Sequence, residues 1–217
     1  MLLCVALALA SGAEIIPVSI TASTTQPGME AVSLINGSGL AGNLHGNQRS
    51  DMWLSDNLNP GSDLPFGILS FELLGPETLR SFEIWNYNED DALAQGVSFF
   101  ELRYTAGGAS LSAGWFNLGI GTGGAGGSQV FVLPSAIVAE SLTLNLVANH
   151  GDPNYLGLSE IKFYSNALNT NTTPTIGEED PPVGEEEPPT NTDLPEPSSA
   201  LLVLAGGTAL AALRRSR

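Results

Sequence analysis

Residues 68–74 read Ile68-Leu69-Ser70-Phe71-Glu72-Leu73-Leu74. Leu69, Phe71 and Leu73 recur at every second position, and a period of two is typical of a strand that buries one face. An amphipathic helix would instead repeat its apolar residues three and four positions apart. The stretch therefore predicts a half-buried β-strand that contributes one side to an apolar core.

Further segments of similar length share this alternation, and glycine and proline separate them. No segment shows a helical period over 12 residues. The domain of residues 14–165 is therefore predicted to be all-β, an antiparallel β-sandwich or jelly roll. The additional predicted strands are Ile16–Ala22, Leu79–Trp85, Val97–Thr105, Trp115–Leu118, Val130–Leu133, Leu142–Val147 and Leu158–Tyr164.

The charge of the chain limits its partners. The 217 residues carry a formal net charge of −16, with 15 acids and 4 bases in residues 14–165 and 8 acids and no base in residues 166–197. Such segments repel polyanions, so we expect no nucleic acid or anionic headgroup as a partner of these segments. Calcium and neutral polysaccharides are easier to accommodate. The single cysteine, Cys4, leaves the domain without disulfide or thiolate chemistry.

The first 13 residues have the character of a signal peptide. Residues 2–10 form an apolar run, and the small residues Ser11, Gly12 and Ala13 follow it. Cleavage after Ala13 would leave Glu14 as the new terminus. No lysine or arginine precedes the run, which departs from the usual pattern. The alternative is a buried N-terminal helix, for which the run is short and lacks a polar face.

Residues 166–194 are rich in proline, threonine and asparagine and contain two acidic runs, at 178–180 and 185–187. Such a composition cannot bury enough apolar surface to offset the entropy of ordering, so the segment is predicted to be a disordered spacer. Proline and like charges favour an extended chain. A stalk that holds the domain outward and a passive linker remain equally open.

The C-terminus combines a motif, an apolar stretch and basic residues. Pro195-Glu196-Pro197 precedes sixteen uncharged residues, 198–213, and Arg214, Arg215 and Arg217 close the chain. This order resembles the PEP-CTERM sorting signal. The resemblance implies an exosortase-type membrane protease as partner, a transmembrane helix that spans the inner membrane before processing, and export to the envelope or extracellular matrix. The alternative is a plain C-terminal membrane anchor, with the arginines on the cytoplasmic side.

A second resemblance covers nearly all of the β domain and rests on the order and spacing of five short pieces. They are Leu34-Ile35-Asn36-Gly37-Ser38-Gly39-Leu40, Met52-Trp53-Leu54-Ser55, Phe71-Glu72-Leu73, Phe82-Glu83-Ile84-Trp85-Asn86-Tyr87-Asn88-Glu89 and Gly157-Leu158-Ser159-Glu160-Ile161. Together they resemble the discoidin, or coagulation factor 5/8 C-type, domain. The resemblance implies the galactose-binding-like jelly roll, used mainly to bind glycans or other surfaces.

The same resemblance implies one structural calcium ion. By position, Asn36 matches the loop ligand of that family and Glu160 matches a glutamate of the last strand. Calcium takes six to eight oxygen ligands, many of them carbonyls, and Gly37 and Gly39 would allow the tight turns. The family often has Asp where this chain has Asn36, which removes a charge. The alternative is that Asn36 caps a turn and Glu160 is solvated.

Polar and aromatic side chains in the predicted loops are the candidates for contact with a sugar. In the alternative interpretation, the asparagines among them satisfy the loop backbone through Asx turns. The candidates are Asn86, Tyr87, Asn88, Glu89, His45 and His150.

Three tryptophans and a glycine-rich segment allow two interpretations each. Trp53, Trp85 and Trp115 could stack on sugar rings, but tryptophans near strands are more often core residues. Gly119–Gly127 contains six glycines. A nucleotide-binding loop needs a strand before it and a helix after it, so we expect a mobile loop instead.

No catalytic centre stands out. His45 and His150 lie far apart in sequence without a motif around either, and Glu89-Asp90-Asp91 is typical of a solvated turn. We therefore expect a non-catalytic, exported binding module whose partner is a cell-surface or matrix polysaccharide. The alternatives are a structural matrix protein without a specific ligand and, third, a weak glycoside hydrolase, which would need two suitably spaced carboxylates.

Overall fold

The computed structural model describes residues 13–57 and 66–168. These residues form strands and three short 3-10 turns, Ala31–Leu34, Arg49–Asp51 and Leu93–Gln95, and they contain no α-helix. None of their helical turns is long and apolar enough to cross a membrane. The strands are β1 (Glu14–Ile15), β2 (Ser19–Ala22), β3 (Leu40–Ala41), β4 (Leu44–His45), β5 (Trp53–Leu54), β6 (Gly67–Asn86), β7 (Val97–Ala106), β8 (Ala109–Asn117), β9 (Gly126–Gly127), β10 (Gln129–Asn149) and β11 (Gly157–Tyr164).

Two long antiparallel strands, β6 and β10, organise the domain. The sheet order is β1-β11-β6-β10-β7-β8, with β2 paired to β6 and β5 paired to β11. The first half of β6 pairs with β2 and the second half of β10 pairs with β7, whereas the second half of β6 pairs with β11. The first half of β10 continues along β6 beside β11. The β6–β10 pair therefore runs through both layers of an antiparallel sandwich, which confirms the all-β prediction.

Two pairs of separately predicted strands each form one continuous strand. The segments 68–74 and 79–85 are both part of β6, and 130–133 and 142–147 are both part of β10. In β6, five positions separate Glu72 from Glu77, whereas their partners Ser141 and Ala139 are two positions apart. The extra residues form a bulge that contains Gly75 and Pro76. A second shift follows Val132, around Pro134. Proline has no N–H for the ladder and fits at a bulge, so these prolines bend the strands where the sequence analysis ended them.

The other boundaries are corrected in smaller ways. The segment predicted as Ile16–Ala22 is divided, because only Ser19–Ala22 pairs with β6 and Glu14–Ile15 pairs with β11. The segment predicted as Trp115–Leu118 is the end of the longer β8. The predictions Val97–Thr105 and Leu158–Tyr164 match β7 and β11 to within one residue.

Aromatic side chains from both layers meet in the core. Phe71 contacts Phe163 with ring centroids 5.1 Å apart, and Phe82 contacts Phe100, Phe116 and Phe131 at 6.2, 5.1 and 4.8 Å. Such pairs contribute about 0.5–1.5 kcal/mol each beyond the burial of their area.

The tryptophan predictions divide. Trp53 and Trp85 are 0% and 2% exposed, which confirms them as core residues. Trp115 is 56% exposed, so that prediction is wrong for this residue. It lies on the outward face of the edge strand β8, opposite Glu101 of β7.

The long connections collect at one end of the sandwich, here called the loop end. The β6–β10 pair bends near its middle, at Gly75-Pro76 and around Pro134, and returns in the second layer. Both ends of β6, with their partners in β10, therefore lie at the loop end, where Gly67 pairs with Leu146 and Ile84 pairs with Gln129. The opposite end carries both termini of the domain, since Glu14 of β1 pairs with Tyr164 of β11. The chain therefore leaves β11 on the side away from the loops.

The first residues of the predicted spacer are attached to the domain. The hydroxyl of Ser81 donates to the carbonyl oxygen of Asn166 at 2.6 Å and accepts from the N–H of Leu168 at 3.2 Å. Residues 1–12 of the predicted signal peptide, the spacer from residue 169 and the predicted sorting tail lie outside the described residues.

Candidate functional site

Two buried amide side chains, Asn86 at the end of β6 and Asn88 just after it, organise the loop end. Asn86 is 6% exposed. Its Nδ2 donates to the carbonyl oxygens of Val97 and Gly119 at 2.8 and 2.6 Å, and its Oδ1 accepts from the N–H of Tyr87 at 2.8 Å. One amide thus joins the start of β7 to the glycine-rich segment Gly119–Gly127.

The side chain of Asn88 also bonds to the glycine-rich segment. Its Oδ1 accepts from the N–H groups of Thr122 and Gly123 at 3.1 and 2.8 Å, and its Nδ2 donates to the carbonyl oxygens of Gly124 and His45 at 2.9 and 3.2 Å. The side chain is 1% exposed and uses all of its hydrogen-bonding capacity.

Asp90 completes the attachment. One of its oxygens accepts from the N–H of Gly124 at 2.6 Å, and the other accepts from Nδ2 of Asn47 at 2.8 Å. The sequence analysis predicts a mobile loop at Gly119–Gly127 and a solvated turn at Glu89–Asp91. In the structure Asp90 and Asp91 form an exposed turn, as predicted, and Asn88 and Asp90 attach the glycine-rich segment to it through hydrogen bonds.

Close backbone contacts explain the glycines of this segment. A Cβ on Gly121 would lie 2.2 Å from the carbonyl oxygen of Tyr87, and a Cβ on Gly126 would lie 2.8 Å from the amide of Asn88. A side chain at either position would force the loop away from the end of β6. The glycine content therefore reflects packing and not only conformational freedom.

Tyr87 and Glu89 form a second polar pair. Tyr87 is fully buried, and its hydroxyl donates to Oε2 of Glu89 at 2.5 Å. Nε of Arg49 lies 3.7 Å from the same carboxylate oxygen. Burial raises the pKa of Tyr87 well above its usual value, and the hydrogen bond and charge of Glu89 raise it further. The phenol therefore stays neutral and acts as a hydrogen-bond donor. It packs against Met29, Met52 and Leu54.

The two histidines contact backbone carbonyls. His45 is fully buried, with Nδ1 2.8 Å from the carbonyl oxygen of Gly46, and Nε2 has no partner among the described residues. His150 is partly buried, with Nε2 3.0 Å from the carbonyl oxygen of Leu118.

The six predicted ligand residues therefore have different surroundings. Asn86, Tyr87, Asn88 and His45 are buried, and their hydrogen bonds position the loops, so a direct sugar contact by these side chains stays a prediction. Glu89 and His150 keep partial exposure. The asparagines satisfy loop backbone groups, as in the alternative interpretation, but mostly through partners that are distant in sequence and not through Asx turns.

A solvent-open cleft of about 130 Å³ lies between the glycine-rich segment and the start of β10. Ile120 and Thr122 are exposed beside it, and Ile120 keeps 54% of its surface. Apolar surface next to a few fixed polar groups is typical of small-molecule sites. The sequence analysis missed these residues, because nothing in their order signals that a buried amide fixes them. The lining residues are Ile84, Asn86, Asn88, Leu118, Gly119, Ile120, Gly121, Thr122, Gly126, Gly127, Ser128 and Gln129.

Glu160, the predicted strand ligand of calcium, is 1% exposed. Its Oε1 accepts from the N–H of Gly37 at 3.3 Å, and its Oε2 has no partner among the described residues. Burial raises the pKa of Glu160 to about 8, although the Gly37 hydrogen bond and the charge of Lys162 oppose the shift. A buried carboxylate oxygen without a donor is suited to a cation or a proton.

Asn36, the predicted loop ligand, is exposed and shapes its own turn. Its Oδ1 accepts from the N–H of Ser38 at 2.8 Å, and Gly37 and Gly39 follow with φ of 73° and 77°. The loop meets Glu160 through the N–H of Gly37. No group of three His, Cys, Asp or Glu residues in the described ranges is arranged to hold a metal. A calcium ion here would take its remaining oxygens from carbonyls and water, so the calcium site stays a prediction.

The fold is similar to that of several solved domains. One is the family 32 carbohydrate-binding module of Clostridium perfringens NanJ in complex with galactose, with 18% identity, a TM-score of 0.54, and coverage of 70% of this chain and 98% of that one. Another is an F5/8 type C domain from Bacteroides fragilis, with 16% identity, a TM-score of 0.52, and coverage of 69% and 92%.

A third similar structure is a family 32 module of Clostridium perfringens in complex with GalNAc-β-1,3-galactose. It has 16% identity, a TM-score of 0.51, and coverage of 67% of this chain and 94% of that one. No family model and no curated protein matches the sequence. At these identities the likeness shows the fold, which confirms the galactose-binding-like jelly roll.

Proposed function

We propose that this protein is an exported, non-catalytic carbohydrate-binding protein whose sugar site is the cleft at the loop end. The observation that carries the proposal is the set of buried hydrogen bonds that holds this cleft together. Asn86 and Asn88 are buried, and together they make six hydrogen bonds to the backbone of the surrounding segments. A cleft that is fixed before binding loses less entropy when a ligand enters it.

The chemistry of the cleft suits a sugar ring. Ile120 offers an exposed apolar side chain, Thr122 offers a hydroxyl, and backbone groups of the glycine-rich segment lie close to the surface because they carry no side chains. A pyranose presents the same combination of C–H faces and hydroxyl edges. The fold neighbours described as complexes with galactose and GalNAc-β-1,3-galactose support this class of ligand.

The proposed location is the cell envelope or extracellular matrix. It rests on the resemblance of residues 195–217 to the PEP-CTERM signal and on the signal-peptide character of residues 1–13. An exosortase-type protease would process the tail. Because the chain leaves β11 opposite the loop end, a tether on that side leaves the cleft free to meet matrix or cell-surface polysaccharide.

One structural calcium ion is part of the proposal. Glu160 would supply a buried carboxylate, and the Asn36–Gly39 loop would supply carbonyl oxygens. The ion would neutralise a buried charge and attach this loop to β11. It would stabilise the domain without taking part in chemistry.

A matched pair of variants tests the cleft. Ile120→Ser changes an exposed residue of the cleft, whereas Val138→Ser changes a residue of equal exposure (55%) near the opposite end. Affinity electrophoresis of the whole protein in gels that contain galactose-bearing polysaccharides should show retardation that Ile120→Ser reduces at least about fivefold and Val138→Ser leaves unchanged. Equal effects of both variants would contradict the assignment of the cleft.

The same samples separate the alternative functions. A folded protein that no glycan retards would favour the structural matrix protein. Release of new reducing ends from a bound glycan, lost in Glu89→Gln, would favour a glycoside hydrolase.

A further inference from the structure

A second feature that is typical of polysaccharide surfaces lies outside the cleft, on the outward face of the sheet. Trp115 of β8 is 56% exposed and stacks on Phe99 of the neighbouring strand β7, with ring centroids 5.4 Å apart and an interplanar angle of 17°. Phe99 is half-buried and covers one face of the indole. Neither residue lines the cleft. We call this pair the aromatic platform.

The platform is unusual among the tryptophans of this protein. Trp53 and Trp85 are buried, and their indole N–H groups donate to backbone carbonyls. Exposing a large aromatic surface costs free energy in water, and the core would have gained from burying Trp115. Its exposed position on an edge strand, with one ring stacked against it, points to contact with another molecule.

The two charged side chains beside the platform, Arg103 and Glu101, form an ion pair with each other. Arg103 donates to Oε1 of Glu101 at 3.0 Å, and its other N–H groups donate to Ser110 at 3.1–3.2 Å. Asn145 donates to the second oxygen of Glu101 at 3.1 Å. Burial alone would raise the pKa of Glu101, yet hydrogen bonds from Ser112 and Asn145 and the charge of Arg103 hold it below its usual value. The pair stays ionised and mutually compensated.

Hydroxyl groups continue this face across the sheet. Ser112 lies opposite Arg103, Arg103 opposite Thr143, Thr143 opposite Ser70, and Ser70 opposite Thr21. We call Ser112, Thr143, Ser70 and Thr21 the hydroxyl row; Arg103 lies between the first two. Cross-strand partners share a face of the sheet and neighbouring strands lie roughly 4.8 Å apart, so the row extends about 19 Å from the edge strand. This is the length of several sugar rings.

We infer that this outward face, from the Trp115–Phe99 platform along the hydroxyl row, is a second binding surface for an uncharged polysaccharide chain. The flat indole would stack on the C–H face of one pyranose, and the hydroxyl row would bond the next sugars. An acidic polymer is disfavoured, since residues 14–165 carry 15 acids and 4 bases. A purely apolar partner is also disfavoured, because polar side chains, among them Glu101, Arg103 and Asn145, surround the platform on this face. The inference does not depend on the cleft, so either can fail alone.

The arrangement of the tryptophans provides a selective measurement. Trp115 is the exposed one of the three, so acrylamide quenching of intrinsic fluorescence reports mainly on this residue. We would measure it on the whole protein with dextran, xyloglucan and galactomannan, which are uncharged, and with alginate as the anionic control. At least one neutral polymer should reduce the quenching constant about twofold or more, and alginate should not.

Variants connect this protection to binding. Trp115→Ala should weaken affinity for the protecting polymer about tenfold, because the stacking area is lost, whereas Trp115→Tyr should keep most of it. Because the side chain is exposed, both variants should fold normally. Ile120→Ser in the cleft should leave the protection of Trp115 unchanged.

Three outcomes would overturn the inference: no protection by any neutral polymer, unchanged affinity in Trp115→Ala, or protection that appears without polymer as protein concentration rises. The last would assign the platform to self-association of this chain.

Discussion

The buried carboxylate of Glu160 makes a prediction about pH. Its pKa rises from 4.5 to about 8 on folding because the side chain is removed from water. Between these two values the native state holds a proton that the unfolded state has released. The stabilisation is therefore complete below about pH 4.5, declines as pH rises, and is lost once the pH passes the folded pKa of about 8.

The size of the effect follows from the same shift. A gap of about 3.5 pH units at about 1.36 kcal/mol each sets an upper limit of roughly 5 kcal/mol. The opposing contacts from Gly37 and Lys162 are already included in the shift. Water that enters near Glu160 would reduce the measured change, and we expect at least about 1 kcal/mol.

The assay is urea denaturation in EDTA from pH 5 to 9, for wild type and Glu160→Gln. The amide has nearly the same shape and does not titrate, so the variant should lose the descending limb and be the more stable protein at pH 9. Other titrating groups contribute equally to both curves, and the difference between the curves isolates Glu160. Curves of identical slope would refute the reasoning from burial.

Calcium adds a second arm to the same experiment. An ion at Glu160 would displace the proton, so calcium should raise wild-type stability at pH 8 by about 2.7 kcal/mol when present at 100 times its dissociation constant. Glu160→Gln should respond little. A wild type that is insensitive to calcium would remove the ion from this account and leave the proton.

Three further substitutions test the packing that supports the site. Asn88→Ala removes four hydrogen bonds to buried or partly buried backbone groups, so it should lower the free energy of unfolding by about 3 kcal/mol or more. Urea denaturation measures this change. The control Asn117→Ala, at an exposed amide, should change the free energy of unfolding by less than about 0.5 kcal/mol. Gly121→Ala places a Cβ against the carbonyl of Tyr87, so it should lower the free energy of unfolding by about 1–3 kcal/mol and weaken glycan binding. Gly127→Ala is the control, because its Cβ would meet nothing within 4 Å. Equal melting temperatures of the two variants would contradict the close approach of Gly121 to Tyr87. Phe82→Ala removes the centre of the aromatic cluster and should cost about 3–5 kcal/mol, against little change for the exposed Phe66→Ala, as measured by calorimetry.

The alternation of apolar and polar residues predicts much of the fold, because each layer of the sandwich buries one face of its strands. The alternation in residues 68–74 and 158–164 predicts strands that the structure contains. It could not show that Gly75-Pro76 and the segment around Pro134 are bends within continuous strands. A proline ends a strand in one context and occupies a bulge in another, and only the partner strand decides between them.

The candidate site was less accessible to sequence reasoning. The sequence analysis proposes Asn86–Asn88 as ligand contacts, because buried polar residues that follow a strand are indistinguishable in sequence from exposed ligand contacts. Their burial depends on the glycine-rich loop, which folds over them from 33 to 34 residues away in the sequence. Trp115 shows the converse limit, since its neighbours Ala113 and Phe116 pack on the core while its own side chain faces outward.

The central claim is that the domain binds carbohydrate without catalysing its hydrolysis. The most direct test is the binding of the whole protein to an array of defined glycans, at pH 7 in calcium and again in EDTA. We predict saturable binding to a small set of related neutral glycans, with galactose-bearing structures among them. A folded protein that binds no glycan in either buffer would contradict the claim and leave a structural role in the matrix as the better account.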